Sequence, residues 1–464
     1  MRKHHLFPTA LLLLSGCSFL PAYERPVAPI ATEWPAQAAG QRSVAGLSWQ
    51  QMLPDPHLHA LIETALVHNR DLHIAVANVE QARALYGIAH ADQLPTLGLN
   101  GSDAVAHTPA DLSLTGKQMT GRRYDVALGA TAFELDFWGR VSSLNEAARA
   151  RFLATEQAQE AFRLSLIADV ASAYFAWQAL DEQLHLARAT VDNREKFLYL
   201  ARKRRDVGLA GDLDVRVAEG AYETVRAQIA ELERTRSQAE NALVLLVGTP
   251  ATDLPAGQRL TEQHLPLDLA AAVPSEVLTN RPDVRAAEAN LIAANANIGA
   301  ARADFLPRVN LNLAFGTATS AFSGLFAAGS GAWSFTPTLV QPLFDSGRTQ
   351  AAVDLAEARK VAAVAEYEKS IQQAFREVAD LLVARDRLAE QLRAQEATDQ
   401  AQSSRLHLVE ARYEGGASNY LEVLDAQRDS FAAAQATVQV RRALLTSAAQ
   451  LYKALGGGGV AGGR

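Results

Sequence analysis

Between Arg140 and Val207 the sequence contains neither glycine nor proline, and the same is true from Thr349 to Glu414 and from Ser418 to Leu455. These runs are rich in Ala, Leu, Arg, Glu and Gln, the residues that lose least on entering a helix, whereas Gly and Pro are the ones a helix interior excludes. At about 1.5 Å rise per residue the first run predicts a helix roughly 100 Å long, several times the width of a compact domain. Its apolar positions Phe162, Leu166, Val170, Tyr174, Trp177, Leu180, Leu184, Ala187 and Val191 step by three or four. One stripe therefore faces neighbouring helices, and the alanines between allow close approach.

The chain is also duplicated. Gly87, Ala91, Asp92, Leu94, Pro95, Leu99 and Asn100 recur in order as Gly299, Ala303, Asp304, Leu306, Pro307, Leu311 and Asn312. Gly139 and Arg140 recur as Gly347 and Arg348; Val170 and Ala171 as Val378 and Ala379; Gly208, Leu213, Val215 and Ala218 as Gly416, Leu421, Val423 and Ala426. One architectural unit is used twice. The breaks Val207 to Gly211 and Gly415 to Ser418 fall at equivalent places and read as tight turns between antiparallel helices.

Between the long helices lie two stretches of different pattern, Pro95 to Phe137 and Pro307 to Phe344. Val309, Leu311, Leu313 and Phe315 alternate with Asn310, Asn312, Ala314 and Gly316, and Trp333, Phe335 and Leu339 alternate with Ser334, Thr336, Thr338 and Val340. That is strand periodicity with one apolar face. No charged residue stands between Arg308 and Asp345, and Thr317 to Gly331 has loop composition. Strands of about ten residues suit an outer-membrane barrel, and in the first unit the charges Asp111, Lys117, Arg122 and Arg123 are expected in the loop, outside lipid. Two hairpins supply four strands, yet a sheet in lipid has to close, and closed barrels start at about eight strands. Copies must be shared around an axis; pattern alone leaves two copies and three both open.

Composition narrows the rest. At 464 residues and 48% apolar content the chain can bury a sizeable core, and a net charge of −7 offers no footprint for nucleic acid. Its one cysteine, Cys17, excludes an intramolecular disulfide. Residues 1–16 read as a signal peptide: Arg2 and Lys3, an apolar stretch from Ala10 to Leu14, then Ser15 and Gly16. Leu14, Ser15, Gly16 and Cys17 resemble a bacterial lipobox, which implies diacylglycerol and palmitate on Cys17, and Ser18 at the next position goes with sorting to the outer membrane. Enzyme motifs HExxH, GxxxxGK and GxSxG are lacking. His57 and His59, the one close histidine pair outside the signal, would leave a metal shell incomplete, so no metal or other cofactor is expected.

These residues resemble the outer membrane efflux protein family, the TolC-like channels, and its lipoprotein branch serving resistance-nodulation-division pumps. The most specific pieces are Cys17-Ser18 with Pro21, Tyr23, Arg25 and Pro26; Asn280 to Arg285 leading to Ala301 to Pro307; Tyr420-Leu421 with Leu424 to Arg428; and Leu451 to Gly458. The resemblance implies a mainly α fold with membrane β: two tandem repeats, a long periplasmic helical barrel, and a β-barrel completed by trimerisation with four strands per protomer. It implies a homotrimer in outer-membrane lipid, working with a periplasmic adaptor and an inner-membrane resistance-nodulation-division transporter. The function implied is the exit duct of a tripartite efflux system for small molecules such as drugs or toxic compounds. A type I protein-secretion channel shares the fold, and a lipid-anchored coiled-coil adaptor shares the helices; the latter has no need of the charge-free stretch from Val309 to Phe344.

Expected segments are the signal (1–16), a lipidated extended segment (17–56), a first repeat (57–250, hairpin about 95–137), a linker (251–279), a second repeat (280–455, hairpin about 307–344) and a Gly-rich tail (456–464). A belt of mixed structure is expected from Asp181 to Glu195, Pro250 to Pro274 and the tail. By resemblance Leu421 forms an apolar constriction, Asp425 an acidic ring and Arg428 its partner. Their spacing of four and three puts all three on about one helix face. The first unit has Val217 and Gly220 at the places of Asp425 and Arg428, so that ring comes from the second unit. Asp214 and Glu422 match each other and are candidates for a second ring.

Overall fold

The computed structural model describes residues 19–31, 34, 42–43, 48–250, 257–263, 269–270 and 281–457. In chain order the elements are β1 (Arg42–Ser43), α1 (Trp49–Met52), α2 (Pro56–His68), α3 (Arg70–Ala91), β2 (Leu97–Thr108), β3 (Met119–Glu134), α4 (Arg140–Asp206) and α5 (Asp212–Val247). They continue with β4 (Leu269–Ala270), α6 (Pro282–Ala303), β5 (Arg308–Thr319), a 3-10 turn (Phe322–Gly324), β6 (Gly331–Val340), α7 (Arg348–Glu414) and α8 (Tyr420–Ala454). The duplication is plain in the lengths: α3 and α6 have 22 residues each, α4 and α7 have 67 each, and α5 and α8 have 36 and 35.

The chain divides into two compact units. The first (Met1–Val27, Asn78–Glu156, Ala286–Glu368) is built on an antiparallel sheet in the order β2-β3-β5-β6. Opposed residues in such a sheet share a face. Leu99, Leu128, Phe315 and Trp333 therefore form one row across all four strands, and Leu97, Ala130, Leu313 and Phe335 the next. Phe315 and Trp333 are three-quarters exposed. The rows of the opposite face are small or polar: Gly98, Gly129, Ala314 and Ser334, and Asn100, Ala127, Gly316 and Ala332. Among the described residues no helix is long and apolar enough to cross a membrane; the sheet presents a continuous apolar face instead.

One detail departs from the sequence expectation, and a second is new. Arg122 and Arg123 lie within β3, not in its loop. Arg122 forks onto Asp103 of β2 at 2.9 and 2.5 Å, and Arg123 reaches Asp125, so cross-strand and local ion pairs carry the hairpin on beyond the apolar rows. Near the other end the β3-β5 register slips between Ala130 and Phe133, with Ala132 at φ +54° and its N–H donating to the Asn312 side chain at 2.8 Å. This bulge bends the strand where the sheet approaches its helices.

The N-terminal segment of this unit lies extended on α6. Arg25 holds Glu288 in a two-pronged ion pair (2.6 and 3.0 Å), Tyr23 donates to the same carboxylate, and Asn295 donates to the Pro21 carbonyl. Gly299 admits the chain: a Cβ there would lie 2.9 Å from Leu20 Cα.

The second unit (Ala28–Ala77, Gln157–Arg285, Lys369–Arg464) contains the largest apolar core. Leu58, Leu61 and Ile62 of α2 pack with Ile167, Val170 and Tyr174 of α4 and Leu445, Leu451 and Tyr452 of α8. The stripe read from the sequence is thus the buried face of α4. Asp55 caps α2 and, fully buried, accepts hydrogen bonds from Tyr174 and Gln263. β1 and β4 form a short parallel pair. Buried Arg281 grips Asp283, Glu377 of α7 and the Ala454 carbonyl of α8, which gives Arg281 and Asp283 of the Asn280 to Arg285 motif a structural task. Residues 181–195, expected to contribute to the belt, belong to α4 without interruption, the apolar stripe continuing through Leu184, Ala187 and Val191. Much of 250–274 and the tail beyond Gly457 lie outside the described residues, as do the signal and Cys17.

Candidate functional site

The candidate residues stand where α4 turns into α5 and α7 into α8. Both turns are built alike. Gly208 (φ +77°) and Gly416 (φ +75°) take the left-handed conformation; Leu209 N–H donates to Arg204 and Ala417 N–H to Arg412, five residues back. This is the Schellman closure of a helix end, which needs a residue without Cβ strain. Beneath the turns Phe197, Tyr413 and Tyr420 pack ring against ring at about 6 Å, joined by Val215 and Val423. Burial, with Tyr413 adding to it, pushes the Tyr420 phenol up to about 12.

On α8 above this core Leu421 is 63% exposed, although apolar. Arg428 lies 3.2 Å from Asp425 and 3.1 Å from Asp429, and Asp429 is held in turn by Arg405 of α7 at 2.8 Å. Two aspartates and two arginines thus alternate in one chain of pairs. Arg405 first, then Arg428, holds the Asp429 carboxyl below the usual aspartate range. All these side chains are solvated, so each pair adds little on its own. Such a network can hold one arrangement of the helix ends and release it at small cost.

Leu421, Asp425 and Arg428 come together as the spacing predicts, lining one cleft of 460 Å³ with Val217, the first-repeat counterpart of Asp425. Sequence reading missed Asp429 and Arg405. Asp429 adjoins Arg428 in the chain; Arg405 is on another helix and leaves no local signal. Asp214 and Glu422 have helix-capping tasks. Gly211 N–H donates to Asp214, while Asn419 caps α8 and Ser418 donates to Glu422. Negative charge in a first turn also suits the helix dipole. His59 is bonded to the Leu53 carbonyl and His57 stacks on Tyr174, so the histidine pair is committed to packing.

The profile of outer membrane efflux proteins matches residues 61–249 and 273–457, one match to each half of the duplication. The chain belongs to the outer membrane efflux protein family. It is 44% identical over 457 residues to the solvent efflux pump outer membrane protein SrpC of Pseudomonas putida, covering 97% of each chain. It is 43% identical to outer membrane protein OprJ of Pseudomonas aeruginosa, over 99% of this chain and 97% of that one. Among solved structures, the open-state MtrE outer membrane channel of Neisseria gonorrhoeae superposes with a TM-score of 0.87 at 38% identity, over 95% of this chain and 98% of that one. The fold is accordingly that of the TolC-like channels, and the protein is an outer-membrane efflux channel whose helical part is periplasmic. In a barrel set in lipid the apolar face is the one turned outward. The family and these relatives are channel proteins of efflux systems.

Proposed function

We propose that this chain is one protomer of a homotrimeric exit duct in a tripartite efflux system, passing small molecules such as drugs or toxic compounds. The observation that carries this is the four-stranded sheet, apolar on one face, in which β2 and β6 have no outer partner among the described residues. In lipid each unpaired strand edge costs several kcal/mol per backbone group, so the sheet has to close with further copies. Four strands from each of three chains make twelve, above the minimum for a closed barrel. The duct works with a periplasmic adaptor and an inner-membrane resistance-nodulation-division transporter, and Cys17 carries diacylglycerol and palmitate as a second hold on the membrane.

Leu421, Asp425 and Arg428 are the gate. Repeated about an axis, Leu421 presents an apolar constriction and Asp425 a ring of like charges that Arg428 compensates. Asp214 and Glu422 stand at the same helix ends, where a second acidic ring would add to it. Asp425→Ala or Arg428→Ala is expected to raise the closed-state conductance of the isolated channel in a planar bilayer severalfold. Unchanged conductance in both variants rejects the gate. Deletion of the channel, followed by a susceptibility panel of drugs, solvents and metals, identifies the cargo.

A further inference from the structure

The cleft of 460 Å³ between α4, α5 and α8 contains an ionic feature that gating by Asp425 and Arg428 does not use. Arg194 of α4 lines it and is 8% exposed. Its Nη1 donates to the Ala221 carbonyl of α5 at 2.6 Å. Its Nε is buried without an acceptor, and among the described residues Arg194 enters no ion pair. A guanidinium cannot shed its proton to escape the cost of burial, and buried cations are ordinarily matched by a carboxylate. Burial indeed disfavours the charged form of Arg194. The remaining charged groups of the cleft are Asp425 and Arg428, which face each other at 3.2 Å, so the lining carries one positive charge in excess. The rest of the wall is largely apolar, with Val217, Val225, Leu424 and Phe431.

We propose that this cleft binds a small amphipathic organic anion, an aromatic or aliphatic carboxylate or sulfonate, whose acid group pairs with Arg194 and whose body lies against Phe431, Val225 and Leu424. The volume is that of a site for a drug-sized molecule. An anion arriving there exchanges water for a charge-assisted hydrogen bond with a guanidinium that is itself shielded from solvent, where such bonds are strongest. The same wall fits an uncharged analogue sterically but offers it no counter-charge, so charge sets the selectivity. A bound anion touches α5 and α8 together and braces one against the other beside Leu421.

The site is tested by equilibrium binding rather than by current, so its failure and that of the gate are distinguishable. Titration calorimetry of the purified full chain in detergent compares 1-naphthoate with neutral 1-naphthamide. Saturable binding of one naphthoate per chain, at least about tenfold tighter than the amide, is expected. Arg194→Gln should weaken naphthoate about tenfold or more and leave the amide unchanged, whereas Asp425→Asn, which removes the opposing carboxylate, should tighten it. If Arg194→Gln loses its helical circular dichroism, the comparison of acid with amide on the native chain, together with Asp425→Asn, decides. Equal affinity for acid and amide, non-saturable uptake of both into micelles, or naphthoate affinity untouched in a folded Arg194→Gln protein overturns the proposal.

Discussion

Arg281 shows what a single side chain contributes when it is buried and fully engaged. It joins the start of α6 to α7 and to the last turn of α8, through two carboxylates and one carbonyl. Those carboxylates are about half exposed and can be hydrated if abandoned, so Arg281→Ala should destabilise by about 2 kcal/mol rather than the larger loss of a wholly buried pair. Thermal unfolding followed at a helical wavelength measures it, and Arg281→Lys should restore only part, since the donors of an ammonium radiate from one nitrogen and cannot span partners that three separate guanidinium nitrogens reach. Asp429 supplies a pH signature. Its carboxyl is depressed in the folded protein, so its contribution is complete above the ordinary aspartate range and is lost as pH falls through the lower folded value. Closed-state conductance controlled by Asp429 with Arg405 and Arg428 should stay flat from pH 7 to about 5 and rise only below about pH 4, and Asp429→Asn should abolish that acid-induced rise. The Asn280 to Arg285 motif was legible as a motif, but the partners of Arg281 were not. Arg194 gave no signal at all, because its environment is made by helices far apart in sequence.

At the scale of elements, periodicity told most of what the structure contains. Gly- and Pro-free runs became α4, α7 and α8, and the left-handed glycines closed the turns where the repeat placed them. What stayed hidden was set across strands: the bulge at Ala132 capped by Asn312, and the pairing of Arg122 with Asp103 that lengthens β3. The two faces of the sheet make a paired prediction. Leu313 stands mid-strand in the apolar row with Ala130 and Phe335, whereas Thr336 and Asn312 oppose each other on the small, polar face. Leu313→Lys should cost about 2–4 kcal/mol in the bilayer and reduce the amount of folded channel in outer membranes. Thr336→Lys should leave that amount unchanged and shift ion selectivity toward anions in single-channel recordings. Equal effects of the two on folding would contradict the assignment of the faces.

For the whole molecule the open edges β2 and β6 are the decisive feature, since a lone chain cannot satisfy them in lipid. The protein extracted in mild detergent should run as a heat-sensitive oligomer of three chains by light scattering. Proline at successive β6 positions should dissociate it wherever the outward N–H is lost, with the helices kept. The number of copies was not legible in the pattern, because four strands fit more than one closed ring. The equal span of α4 and α7, 67 residues each, has a further consequence. Adding four residues to one of them moves its turn outward by about 6 Å and rotates it by a little more than a full turn, leaving the two hairpin ends out of step. The reach of such a protein across the periplasm is therefore a gauge cut twice into one polypeptide, and a lineage that needs a longer or shorter one has to alter both copies together.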